Sequence, residues 1–312
     1  MSDSLSIILT AGFVATAAGL LGPFLVLRRV ALMSDAVSHA VLPGIVVAFL
    51  IFQTRAPLPV ILGAGVFAIL CVLSVDALKA TNLVKSDAAI ALVFPALFAL
   101  GVIGITRYAS GAHLDLDSTI YGEIAFSPFQ TIAIAGFEIA RSIVLLGGVA
   151  LFNLALTCAL WKELKATTFD PEFSRTIGIS PTLLSRLLLV AVAITAVTAF
   201  ESVGAILVVS LLIVPAATAY LLTNRLWVMV AMAVTIGWVC AVGGHAAAIA
   251  VDASIAGAMG LVAAACFALA LTFSPHYGLL ARRLQRRAQR RRTDERLAAE
   301  ARPPGAPELT AG

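Results

Sequence analysis

An aspartate and a histidine four residues apart, in Asp35-Ala-Val-Ser-His39, are the pair in this 312-residue sequence best suited to chemistry. On a helix that spacing puts both side chains on one face, one turn above the other. A carboxylate and an imidazole together make half of a first-row metal site, with borderline ligands that suit Zn²⁺ or Mn²⁺. Pro43-Gly44 follow, a dipeptide that breaks or kinks a helix and frees carbonyls near the same place. The same spacing also suits a plainer arrangement, in which Asp35 caps a helix starting at Ala36 and His39 bonds locally.

A second candidate ligand is Asp252, between two long apolar stretches, with His245 seven residues earlier on the same helical face. Its alternative is an N-cap at an outer loop, and for His245 a hydrogen-bonded structural histidine. Glu201, His113 and His276 stand at stretch boundaries and read as interface residues. The four cysteines, Cys71, Cys158, Cys240 and Cys266, fall singly inside apolar stretches and form no disulfide or zinc framework. No GxxxxGK[ST], HExxH or GxSxG occurs, so the chain carries no P-loop for ATP and none of the usual protease or hydrolase signatures.

The elements that must position these residues follow from composition. The chain is 61% hydrophobic and 12% charged, with mean hydropathy +1.02. A soluble domain carries about 25% charged residues, so there is too little charge here to cover a globule. Ala, Leu, Val and Ile dominate, as in helices packed in lipid. Apolar stretches run 4–27, 56–75, 88–106, 142–161, 202–224, 226–251 and 253–281, with shorter ones at 36–54 and 187–200. Each suits a helix of about 17–25 residues across a bilayer, the two short ones if Asp35 and Arg186 lie at or within the membrane. This predicts an all-α polytopic bundle of nine spans, with eight as the alternative. Residues 124–137 are too short and read as interfacial or re-entrant. The start, Met1-Ser2-Asp3, lacks a basic segment, so the first stretch reads as a retained span.

Basic residues stay on the cytoplasmic side. With nine spans and the 162–186 connection inside, eighteen Lys/Arg fall inside and only Arg55, Arg107 and Arg141 outside. The C-terminus is then cytoplasmic, in a cytoplasmic (inner) membrane. Residues 1–281 form the transmembrane domain. Residues 282–312 form a basic, disordered tail with nine arginines against Asp294, Glu295, Glu300 and Glu308. Beside a membrane helix such a run anchors to lipid, and nothing else on the chain could read nucleic acid. The 162–186 connection carries a turn signal, Asp170-Pro171, then a polar piece over 172–179 ending at Gly178 and Pro181. It reads as a surface helix, either a plain connector or a knob for a cytoplasmic partner.

Three blocks resemble the metal-transporting ABC permeases of the ABC-3 family, importers of zinc, manganese or iron. The first is Phe24-Leu-Val-Leu-Arg-Arg-Val-Ala-Leu-Met-Ser-Asp-Ala-Val-Ser-His-Ala-Val-Leu-Pro-Gly44; the second is Lys162-Glu-Leu-Lys through Phe169-Asp-Pro-Glu-Phe-Ser-Arg-Thr-Ile-Gly178. The third is Val203-Gly-Ala-Ile-Leu-Val-Val-Ser-Leu-Leu-Ile-Val-Pro-Ala-Ala-Thr-Ala219, and the likeness runs from about residue 5 to about 280. The resemblance implies an importer permease fold and a metal site on Asp35, His39 and, through a departed Pro-Ser-Gly pattern, Asp252. It makes Phe169, Asp170, Pro171, Glu172, Phe173 and Gly178 the ATPase-docking residues. It implies separate cytoplasmic ATPase subunits, an extracytoplasmic metal-binding protein and a second permease copy. The divalent ion is cargo, with no cofactor bound permanently and no enzymatic activity on this chain. The rivals are a secondary metal transporter or channel without an ATPase, an intramembrane zinc enzyme, and a scaffold without a pathway.

Overall fold

The computed structural model of the chain describes residues 2–53, 57–108, 124–134, 137–274 and Gly278. The arginine-rich segment 282–312, His113 and His276 lie outside the described residues. Twelve α-helices occur among those described: α1 (Asp3–Leu27), α2 (Ala31–Ala40), α3 (Leu42–Phe52), α4 (Pro57–Ala80), α5 (Ser86–Tyr108), α6 (Arg141–Ala159), α7 (Trp161–Phe169), α8 (Pro171–Thr176), α9 (Pro181–Val203), α10 (Ala205–Leu222), α11 (Leu226–Val251) and α12 (Ile255–Phe273). Nine stretches among them are long and apolar enough to cross a bilayer, with α2 and α3 counting as one over Ala31–Phe52. The fold is an all-α polytopic bundle.

Among the described residues of 124–137 there is no α-helix. A 3₁₀ turn covers Ile124–Phe129, and an antiparallel hairpin pairs β1 (Thr131–Ile134) with β2 (Phe137–Ala140), Thr131 opposite Ala140. Thr and Ile favour the extended pleat, and four residues a strand is too short for a spanning helix. The Arg141 amide donates to the Gln130 carbonyl at 2.8 Å and delivers the chain straight into α6.

Helix α1 is the central post, with 72% of its most apolar window buried. Small residues let neighbours approach it closely, as lipid-embedded helices require when no hydrophobic force draws them together. The Trp238 ring of α11 lies over Gly12 and donates its indole N–H to Thr16 Oγ1 at 3.0 Å. The Leu212 carbonyl of α10 sits against Gly22. Asn153 of α6 donates to the Ala17 carbonyl (3.1 Å) and to Thr195 Oγ1 of α9 (2.8 Å), so one amide ties three helices. Conversely, α4, α5 and α12 are the least buried spans, and Leu58, Leu62, Leu92, Leu100, Leu261 and Leu269 point outward as a hydrocarbon solvent demands.

The break at Val41, after the ten residues of α2 in the second span, follows from Pro43. Proline lacks the N–H for an i→i−4 bond and its ring crowds the preceding turn. Gly44, next in line, allows α3 to press on α4, because a Cβ there would strike the Gly63 carbonyl. Gly44→Ala is expected to destabilise the bundle by about 1–3 kcal/mol. Gly65→Ala, at a position with open space around it, should be neutral. Unfolding temperatures of the purified variants in detergent check this contrast; equal temperatures would show that the α3–α4 contact is slack.

Candidate metal site and docking corner

Helix α2 starts at Ala31 and runs through both candidate ligands, so Asp35 lies in its second turn and caps nothing. That removes the capping arrangement. Asp35 Oδ1 and His39 Nε2 stand 3.6 Å apart, with side chains 42% and 30% exposed. A shared proton does not span that gap. Two ligand atoms each about 2.1 Å from a tetrahedral ion lie about 3.4 Å from one another, so the spacing fits a bridging cation.

The imidazole is held in an aromatic collar. Its ring centroid lies 5.7 Å from Phe94 and 6.3 Å from Phe98, both of α5, and 6.2 Å from Phe200 of α9. Such walls fix the ring and thin the water around it, which strengthens a cation–ligand attraction. Asp35 faces a cavity of about 310 Å³ lined by Leu32, Ala36, Asp87, Ile90, Ala91, Phe94 and Pro95. Asp87, in the first turn of α5, thus shares a cavity with Asp35. The sequence signals it had were a charge at the edge of the 88–106 stretch and the i,i+4 aromatics Phe94 and Phe98.

Asp252 is not brought to this pair: among the described residues no group of three or more His, Cys, Asp or Glu side chains is placed to hold an ion. Asp252 instead ends α11 as an exposed C-cap in the left-handed region, φ 52° and ψ 52°, which aspartate tolerates better than most residues. The N-cap of α12 is Ser254, whose Oγ accepts from the Gly257 amide at 3.5 Å. His245 is 6% exposed, and neither ring nitrogen meets a hydrogen-bond partner, unlike the bonded histidine expected. The charge of Arg186 in α9 is met by Asp76 of α4 at 3.2 Å.

The 162–186 connection folds into α7 and α8 at a sharp corner. Asp170 caps α8, its Oδ1 accepting from the Phe173 amide at 2.9 Å, and Pro171 takes the first helical position, where a missing N–H costs nothing. The helix closes with the Gly178 amide on the Arg175 carbonyl (3.1 Å) and the Ile179 amide on the Ser174 carbonyl (2.9 Å). Gly178 holds φ +82° to allow it. Phe169 and Phe173, on either side of the corner, are 59% and 56% exposed. Glu172 and Arg175 pair loosely at 3.9 Å in solvent. A recess of about 530 Å³ opens beside them, with Trp161, Lys165, Arg225 and Trp227 in its walls. A rigid corner with two solvent-exposed phenylalanines is a shape for insertion into another protein.

Taken together, these features define a membrane-spanning transport subunit with a candidate cation pair in one span and a capped, exposed corner in one connection. Residues 4–274 match the ABC 3 transport family, and the chain belongs to that family. It is 42% identical over 285 residues to "Zinc transport system membrane protein TroD" of Treponema pallidum (strain Nichols), covering 91% of this chain and 78% of that one. It is 40% identical over 286 residues to "Manganese transport system membrane protein MntD" of Bacillus subtilis (strain 168), covering 91% and 97%. The solved structure "PsaBC from Streptococcus pneumoniae in complex with Fab" aligns at 30% identity with a TM-score of 0.76, covering 92% of this chain and 96% of that one.

The Asp170 cap generates a local prediction. Asp170→Ala should weaken α8 by about 1 kcal/mol, while Asp170→Asn should keep most of the cap. Hydrogen exchange over 171–178 should quicken about five-fold in the alanine variant only; equal protection in both would mean the corner does not depend on the cap.

Proposed function

We propose that this chain is the membrane subunit of an ATP-driven importer that carries a divalent transition metal ion, Zn²⁺ or Mn²⁺, into the cytoplasm. The carrying observation is the 3.6 Å spacing of Asp35 and His39 inside a span, in a collar of Phe94, Phe98 and Phe200. An ionisable pair in a membrane is expensive and is kept for a function. The relatives' names, one zinc and one manganese, agree with the ligand set, which suits both ions. Two protein ligands leave an ion under-coordinated, and a second permease copy, water or Asp87 across the shared cavity supplies the rest.

ATP hydrolysis belongs to separate cytoplasmic subunits that grip the corner formed by Phe169, Asp170, Pro171, Glu172, Phe173 and Gly178. Its exposed phenylalanines favour this reading over a gradient-driven carrier, which has no use for such a corner. A metal-binding protein delivers the ion on the outer side. The connection at 162–186 and the arginine tail at 282–312 then face the cytoplasm, where basic residues accumulate.

The test is tracer uptake of Zn²⁺ and Mn²⁺ by cells expressing the permease with its ATPase and binding protein. Asp35→Ala and His39→Ala should each lower uptake at least ten-fold while the protein stays membrane-inserted, and Phe173→Ala should reduce recovery of the ATPase with the permease. Full uptake in both ligand variants would contradict the metal assignment. Uptake undiminished without any ATPase would favour a secondary carrier.

A further inference from the structure

Arg28 ends α1, and its side chain reaches past the membrane-spanning segment onto α7. Its Nε–H donates to Thr168 Oγ1 at 3.0 Å, and its Nη2 donates to Thr167 Oγ1 at 2.7 Å and the Leu164 carbonyl at 3.4 Å. All three acceptors are neutral and lie within the last six residues of α7, directly before the Asp170 corner. The planar guanidinium fork satisfies them together, which a lysine's single ammonium cannot copy in the same geometry. One turn lower, Phe24 of α1 meets Trp161 of α7 edge to face, with centroids 6.1 Å apart at 82°. Leu164 is fully buried beneath them, so α7 is fastened to the end of α1.

Only residues 28–30 separate α1 from α2, and they carry no slack. The amides of Arg28, Arg29 and Val30 bond to the carbonyls of Phe24, Val26 and Leu25 at 3.0, 3.1 and 3.0 Å. Arg29 takes φ +57°, which turns the chain at once into the helix that bears Asp35 and His39. Four residues after Arg28 the first residue of the Asp35 cavity, Leu32, is reached.

We propose that Arg28 is a positioning residue that couples the docking corner to the metal pair: force on α8 passes through α7 to the guanidinium, and through the 28–30 turn to α2. This deepens the function proposed above and rests on it. Arg28 lines neither the Asp35 cavity nor the recess beside the corner, so its loss should separate two activities that docking or metal binding alone would change together.

The experiment uses the full complex of permease, ATPase and binding protein in proteoliposomes, with tracer metal uptake and ATP hydrolysis measured side by side. Arg28→Lys keeps the charge and loses the fork; Thr167→Val with Thr168→Val removes acceptors and leaves the cation. Each should retain ATPase recovery and hydrolysis within two-fold of wild type, while metal moved per ATP falls at least five-fold. Combining both changes should add little to either, as for groups in one network. Unchanged metal per ATP in both variants overturns the proposal. Uptake falling only in proportion to lost ATPase recovery also overturns it, since Arg28 would then merely hold the corner's shape. Wild-type vesicles that move no metal would instead refute the importer reading, a result separable from either of these.

Discussion

Hydrocarbon offers no hydrogen bonds, so every polar group in a span must find its partner inside the protein, and the bundle is arranged around that constraint. Thr10, Thr16, Thr195, Thr198 and Thr218 fold back on carbonyls four residues earlier. Thr10 also meets Ser142, Asn153 bridges three helices, and Asp76 neutralises Arg186. Against this background Asp35 and His39 differ: they stand 3.6 Å apart, and Asp35 lines a cavity of about 310 Å³. A carboxylate and an imidazole 3.6 Å apart, with a cavity beside the carboxylate, are the pair to which the proposed function assigns the ion.

The spans were legible because length and apolarity are sufficient evidence for a lipid-crossing helix, and nearly every stretch maps onto one helix. The pairing of Asp35 with His39 was legible because a helical period of 3.6 residues puts i and i+4 together wherever the helix runs. The capping alternative failed because Ala31 to Ser34 already lie in the helix, a boundary that composition leaves undetermined. Asp252 was less legible. The N-cap that the sequence offered for it falls to Ser254, and Asp252 itself ends α11 as a left-handed C-cap, a distinction of two residues that composition does not carry. The hairpin at 131–140 was hidden because four-residue strands leave too short an alternation to read. Asp87, Phe94 and Phe200 come to the pair from other helices, and such proximity is a tertiary fact that spacing along one helix does not carry.

The corner proposed for docking shows the opposite balance, since its caps are local. Asp-Pro at the start, Gly at the end and Ser180-Pro181 opening α9 each specify a cap within a few residues. What remains nonlocal is the hold that α1 has on this corner. Arg28 reads in the sequence as one of two basic residues at a membrane edge, and only its bonds to Thr167 and Thr168, 139 and 140 residues away, separate it from Arg29. Cation pair, turn and corner thereby form one continuous run of packed structure, while the apolar faces of α4, α5 and α12 are left for lipid or a second copy.

The central claim is that Asp35 and His39 hold the transported ion. X-ray absorption at the zinc edge, on the assembled transporter loaded with Zn²⁺, tests it at the atoms concerned. The account predicts a nitrogen and oxygen shell at about 2.0–2.2 Å with imidazole scattering that disappears in His39→Ala. An imidazole signature that survives that substitution, or a wild-type shell without one, would contradict it.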